Sequence, residues 1–199
     1  MSQQIRVSSV VSQIIGGLDA RLNTSGAKKD LANLRKSIGK NLGESAEIWP
    51  LVFEKVPENY LSHNGIPTYE ENAIVHALQL YALHQQSKST SVQLERTEGS
   101  KFQNIGSSLR VLRTPDNKNA LDRRFNTMIT ASTYEELVYH LSHLIRLLRR
   151  EESAQVDYAL LSDDLFWFQV GKQEQVRLRW AQSYYYLEKT EKAEESENE

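Results

Sequence analysis

The 199 residues include no cysteine, so neither a disulfide framework nor thiolate chemistry is available. Prolines number 4 and glycines 9, few for this length, which disfavours a turn-rich β fold and favours helices. Sustained period-two alternation bounded by turn residues is missing too, so no strand is expected. No run approaches the roughly 18 apolar residues of a membrane span. The start, Met-Ser-Gln-Gln-Ile-Arg, lacks the apolar stretch of a signal peptide. The expectation is a cytoplasmic protein with no membrane partner. Signatures of catalysis are lacking as well. Neither a phosphate-cradling G-x-x-x-x-G-K-[ST] nor G-x-G-x-x-G occurs, and H-E-x-x-H and G-x-S-x-G are absent. His140 and His143 are three apart but sit among leucines, with no acidic third ligand evident. Asp163-Asp164 reads as a surface pair, not a nuclease centre. His76 and His84, eight apart, do not suit a metal pair on a helix and read as structural or surface residues. No metal, cofactor or enzymatic activity is expected.

What is present is helical periodicity. Val7, Val11, Ile14, Leu18 and Leu22 form one stripe over 5–22, although Gly16 and Gly17 each cost a helix about 1 kcal/mol relative to alanine. A second helix reaches about 38, with Leu31, Leu34 and Ile38 inward and Gly39 as its stop. Pro50 opens a short helix over 50–55, with Trp49 and Phe53 expected to anchor the core. Thr68 and Glu71 make a capping box for a helix to about 86 that buries Ile74, Ala77, Leu78, Tyr81 and His84. Residues 87–100 turn polar and read as a mobile loop that orders on binding. Further helices follow, carrying Ile105, Leu109 and Leu112; then Leu121, Phe125, Met128 and Ile129; then Leu137, Leu141, Leu144, Ile145 and Leu148 behind a second capping box at Thr133 and Glu136. One more spans about 157–169 and the last begins near 173, using Val176, Trp180, Tyr184 and Leu187. The expected fold is all-α, about eight packed helices in one unit with two helical subdomains, 25–100 and 101–187.

Charge is unevenly distributed. The formal net charge is −2, yet residues 188–199 alone hold six Glu against two Lys. That tail reads as disordered or a frayed helix end. Residues 101–150 hold nine Lys or Arg against four acids, a local +5. Arginine suits bidentate phosphate contact. Aromatics are not interleaved among these arginines, so a base-stacking platform is not expected. Nor is a helix-turn-helix reader clear. A groove that tracks phosphates without reading bases remains.

Several stretches carry a resemblance: Trp49-Pro-Leu-Val-Phe53, Leu80-Tyr-Ala-Leu-His-Gln-Gln86, Ile105-Gly-Ser-Ser-Leu-Arg-Val-Leu-Arg113, Arg123-Arg-Phe125, Leu144-Ile-Arg-Leu-Leu-Arg149, Val156-Asp-Tyr158, and 176–185. In this order they resemble the CasB family, the small subunit of the type I-E CRISPR surveillance complex, Cascade. The resemblance covers most of 25–187; the N-terminal helix (1–24) and the acidic tail (188–199) lie outside it. It implies an all-helical, non-catalytic subunit that pairs with a second copy of itself. It implies contacts with the large and backbone subunits, and a basic surface on guide RNA, target DNA and the displaced strand, stabilising the R-loop. Carried over by position, Lys36, Lys101, Arg110, Arg113, Arg123, Arg124 and Arg177 are the implied nucleic-acid contacts. Lys28, Lys29, Arg35 and Arg179 join them on charge and helix position alone. Arg146, Arg149 and Arg150 share a face in the last turns of their helix, where cations suit its dipole, and read as serving that helix end or a partner subunit. The alternative is a protein-interaction adaptor whose basic residues meet acidic partner surfaces.

Overall fold

The structure is a computed structural model that describes residues 6–95 and 103–186. Lys101, the second part of the expected loop and the acidic tail lie outside the described residues. Among the described residues, nine α-helices and three short 3-10 turns account for the regular structure, and no strand is present. The helices are α1 (Val7–Asp19), α2 (Ser25–Lys36), α3 (Trp49–Phe53), α4 (Tyr69–His84), α5 (Ile105–Arg110), α6 (Lys118–Ile129), α7 (Tyr134–Leu148), α8 (Tyr158–Gln169) and α9 (Gln173–Tyr185). The all-α expectation holds. No described helix is long and apolar enough to cross a membrane.

Helix α4 lies at the centre, packed against α1, α2, α7 and α8. The capping box at its start is complete: the Glu71 backbone N–H donates to Thr68 Oγ1, and Thr68 N–H donates to the Glu71 carboxylate. Burial extends round α4 from Glu71 to His84, beyond the one-sided stripe expected. Helix α1 lies across α8 and α4 and buries Val7, Val10, Val11, Ile14, Ile15 and Leu18. Its first residues have no local side-chain cap; instead Asp163, on α8, accepts the Ser8 N–H at 2.9 Å. A carboxylate there satisfies an orphan donor and complements the positive end of the helix. The exposed pair Gly16 and Gly17 meets nothing within 4 Å of an added Cβ, so these glycines sit in an intact helix.

Three expectations need correction. Trp49 does not anchor the core: it is 38% exposed, and its indole N–H donates to the Leu42 carbonyl at 2.9 Å. Pro50 opens α3 so that Val52 turns inward while Trp49 lies across the preceding turn. Asp164 is not at the surface. It is buried and accepts from Trp180 Nε1 and Arg179 Nη2, both at 2.6 Å. The chain after α4 is tied down as far as Leu94. Gln85 Nε2 donates to the Thr90 carbonyl, Val92 N–H donates back to Gln85 Oε1, and Leu94 N–H and Val156 N–H bond across to Val156 O and Val92 O.

The second half of the chain closes through α5 and α9. Asn104 caps α5 and donates from Nδ2 to Ser183 Oγ and Arg179 O on α9. At Gly106 the two backbones meet: a Cβ there would lie 2.1 Å from the Trp180 carbonyl oxygen. Phe125 and Tyr184 stack at 3.8 Å with rings 7° apart, joining α6 to α9. One hydrophobic core runs from Val7 to Tyr184.

Two predictions follow from this packing. Gly106→Ala forces α5 off α9, because the obstructing atom is backbone; the expected loss is about 3 kcal/mol, read as a melting temperature lower by more than about 5 °C. The second concerns pH. Burial lowers His76 and His84 to about 4. Folded imidazoles then bind fewer protons than unfolded ones, so their stabilisation is complete above about 6.5 and is lost as pH falls toward 4. Asp164 runs the opposite way. Burial raises it to about 6 despite the Trp180 hydrogen bond, so its contribution is complete below about 3.8 and lost as pH rises through 6. Urea midpoints are therefore expected to fall between pH 7 and pH 5 in the wild type, and to fall more steeply in Asp164→Asn. An unchanged pH dependence in that variant would contradict the assignment.

Candidate nucleic-acid interface

The eleven cations expected to meet nucleic acid separate into distinct groups in the folded chain. Four are held within the protein. Arg113 donates from Nε and Nη2 to the two oxygens of Asp122, at 2.8 and 2.9 Å. It also lies over the rings of Tyr184 and Tyr185. The Arg113 hydrogen bond holds the Asp122 carboxyl below its ordinary range, with a smaller contribution from the Tyr184 hydroxyl. Burial, then the hydrogen bond to Asp122, raises the Tyr184 hydroxyl well above its ordinary value. Arg177 donates to the Ala131 carbonyl at 2.6 Å and lies over Phe168. Arg179 pairs with Asp164, and Arg110 donates to the Tyr186 carbonyl. These contacts join α5, α6, α8 and α9; Arg113 commits two guanidinium nitrogens to them, and Arg110, Arg177 and Arg179 one each.

Five others, Lys28, Lys29, Lys36, Arg123 and Arg124, are exposed and form no ion pair with any described residue. On α2 they follow the helical repeat. Lys28 and Arg35, seven apart, line one groove, while Lys29 and Lys36 lie one residue further round. Arg35 is half-buried and donates to the Ala82 carbonyl at 3.2 Å. Its guanidinium lies below its ordinary value, through burial first and then the nearby positive charge of Arg149.

Arg149 marks what the sequence reading missed. The groove beside α2 is lined by Lys28, Arg35, Gln85, Gln86 and Lys88. It continues across Gln86 and Lys88 to Arg149 and Arg150 at the end of α7. Arg150 in turn borders a further groove between α6 and α7, of about 530 Å³, lined by Arg124, Thr127, Tyr139, His140, His143, Arg146 and others. The cations thus run as one strip from α2, over the end of α7, to α6. Among the described residues, Glu152 is the one carboxylate along its lining. Lys88, Arg146, Arg149 and Arg150 belong to this strip and were absent from the expected set. A signal was available. Tyr139, His143, Arg146 and Arg150 fall at spacings of four, three and four, one face of a helix.

Internal contacts fix several of these side chains. Arg149 donates to Gln86 Oε1 at 2.5 Å. Lys88 Nζ donates to the carbonyls of Glu151 and Glu152, which ties the turn after α4 to the end of α7. Arg146 donates to Ser142 Oγ at 3.1 Å, and that hydroxyl donates to the Tyr139 carbonyl. Two further corrections arise here. An acid does stand near the histidine pair: Glu136 Oε1 lies 3.7 Å from His140 Nε2. Its other oxygen accepts the Ser132 N–H, one residue earlier than an ordinary capping box. His143 instead meets the edge of Tyr139. And an aromatic ring does stand among the arginines, since Tyr139 is 60% exposed in the α6–α7 groove.

Cations gathered with a single carboxylate among them repel one another, and an anion laid along the strip relieves that repulsion. The spacing of several charges along one path suits a polyanion better than a single small anion.

Comparison with known proteins agrees with this architecture. The family described as CRISPR-associated protein Cse2 matches residues 30–185. No curated protein matches the sequence significantly. Among solved structures, CasB from Thermobifida fusca superposes with a TM-score of 0.69 at 28% identity, covering 90% of this chain and 98% of that one. CasB from M. ruber gives 0.67 at 21% identity, covering 97% and 98%. A chain of a CRISPR RNA-guided surveillance complex gives 0.66 at 17% identity, covering 90% and 93%. With most of its length matched by the family and its fold shared with CasB structures, this chain belongs to the Cse2 family, the CasB proteins.

Proposed function

We propose that the chain is a non-catalytic subunit of an RNA-guided DNA surveillance complex, acting in the cytoplasm. It stabilises guide RNA–target DNA pairing and the displaced strand through phosphate contacts that read no sequence. The observation that carries this reading is the continuous cationic strip from Lys28 to Arg124, with one carboxylate along its length. Exchange of a DNA duplex for an RNA–DNA heteroduplex is nearly balanced, so a few backbone contacts are enough to tip it. The contacts we assign are Lys28, Lys29, Lys36, Arg123 and Arg124, together with Arg35, Lys88, Arg146, Arg149 and Arg150. Lys101 stays in the proposed set on resemblance alone. Arg110, Arg113, Arg177 and Arg179 act first as internal ties that place the helices. Partner subunits, including a second copy of the chain, are assigned to exposed apolar side chains such as Ile66, Trp167 and Leu178.

The double variant Lys28→Glu with Arg124→Glu is expected to weaken binding to DNA of arbitrary sequence by at least about tenfold at low salt, and to flatten the dependence of log affinity on log salt by about 0.7–0.9 for each lost contact. Its melting temperature should stay near that of the wild type, because neither side chain has a partner among the described residues. Unchanged affinity across a salt titration would exclude the strip as the binding surface. Arg113→Ala is the contrasting variant. It strands Asp122 and is expected to cost about 2 kcal/mol of stability, measurable by urea unfolding.

A further inference from the structure

The α6–α7 groove holds more than phosphate chemistry requires. Its lining combines three guanidinium groups, Arg124, Arg146 and Arg150, with an exposed phenol ring and two imidazoles. Tyr139 is 60% exposed, although it stands on a helix whose other large apolar side chains are mostly buried or half-buried. Its ring is not loose. His143 meets it edge-on at 4.6 Å and 70°, and His140 meets it at 5.2 Å and 72°. Held by these two neighbours, the ring loses little freedom when a ligand arrives. With the residue 60% exposed, aromatic surface remains for a second ring to stack upon.

The charges are similarly placed in advance. Ser142, buried beneath Tyr139, donates to the Tyr139 carbonyl and accepts from Arg146 Nη1. Arg146 is thereby fixed one turn from His143, on the same face as Tyr139. Arg150 follows one turn later, and Arg124 faces them from α6. Among the described residues no carboxylate lines this groove; Glu136, beside His140, gives one oxygen to the Ser132 N–H.

A flat apolar ring flanked by several cations suits a ligand with a planar face and phosphates on either side. A base-paired strand offers only its phosphates, because its bases are already stacked. An unpaired nucleotide offers both. We propose that the α6–α7 groove is a stacking subsite for one unpaired base of a single strand, with Tyr139 as the platform and Arg124, Arg146 and Arg150 on the adjoining phosphates. Tyr139 selects single strands over duplex without choosing among bases, since every base presents a π face. This inference rests on the phosphate-contact reading given above and adds strand selectivity to it.

The test uses the full chain and fluorescence anisotropy with three probes: a single-stranded oligonucleotide, the same strand with abasic positions, and a duplex of equal length. Tyr139→Ala is expected to weaken single-strand binding about tenfold and to leave duplex binding unchanged. Tyr139→Phe should bind as the wild type does. The abasic strand should bind the wild type more weakly, and Tyr139→Ala should weaken it no further. Equal loss on strand and duplex, or no loss on either, would overturn the stacking subsite while leaving the cationic strip intact. Failure of the wild-type chain to bind any of the three probes would overturn both readings. Because Tyr139 is exposed, its variants should keep the wild-type melting temperature, so any loss is read as a change at the groove.

Discussion

Enclosure of α4 on nearly every side obliges each of its polar side chains to find a partner inside the protein. A buried donor or acceptor left unpaired costs about 1–3 kcal/mol. Gln79 donates to the Ser37 carbonyl and hydroxyl, which positions the end of α2. His76 meets the Tyr134 hydroxyl on α7, and His84 meets that of Tyr158 on α8. Tyr81 donates to Asp19 at the end of α1, and Ser91 donates to the same carboxylate. Gln85 binds the turn that follows at three points. These bonds orient α1, α2, α7 and α8 about one axis. The basic strip begins at the C-terminal end of that axis, so the separation of Lys28, Arg35, Lys88 and Arg149 depends on interior hydrogen bonds more than on the charges themselves.

Arginine serves two ends in this fold. Where a carboxylate or carbonyl is within reach, as for Arg113, Arg177 and Arg179, the planar group joins helices. Where none is, as for Arg123, Arg124 and Arg150, the charge stays on the surface. The same residue type thus gives either an internal tie or an external contact, and the presence of a partner decides which.

Much of the helical framework was legible from the sequence. The stripe of α1, the capping box of α4 and the inward set of α6 follow from spacing and cap chemistry, which are local. The partners of the arginines were not legible, because Asp122 lies nine residues from Arg113 and Asp164 fifteen from Arg179, and only the packing of α5, α6, α8 and α9 brings them together. Trp49 misled for a related reason: its indole N–H found the Leu42 carbonyl, a loop contact that periodicity does not encode. The strip was missed because its members come from α2, the turn after α4, α6 and α7. Charge was counted along the chain, whereas the groove gathers it across helices. By sequence Arg149 and Arg150 read as serving the helix end or a partner subunit, and their end position is also what lets them bridge two grooves.

The docking of α1 on α8 sets an order of events. Its partner surface lies about 150 residues further along the chain, so α1 leaves the ribosome long before α8 exists. At roughly 5–20 residues per second, that interval is on the order of ten seconds. Throughout it, Val7, Val11, Ile14 and Leu18 have no final site to occupy, and the N–H of Ser8 waits for Asp163. Contacts between such distant segments slow folding, because a long loop must close before they form. The nascent chain therefore carries an apolar stripe in need of temporary shelter until α8 has been made to complete the surface that α4 begins.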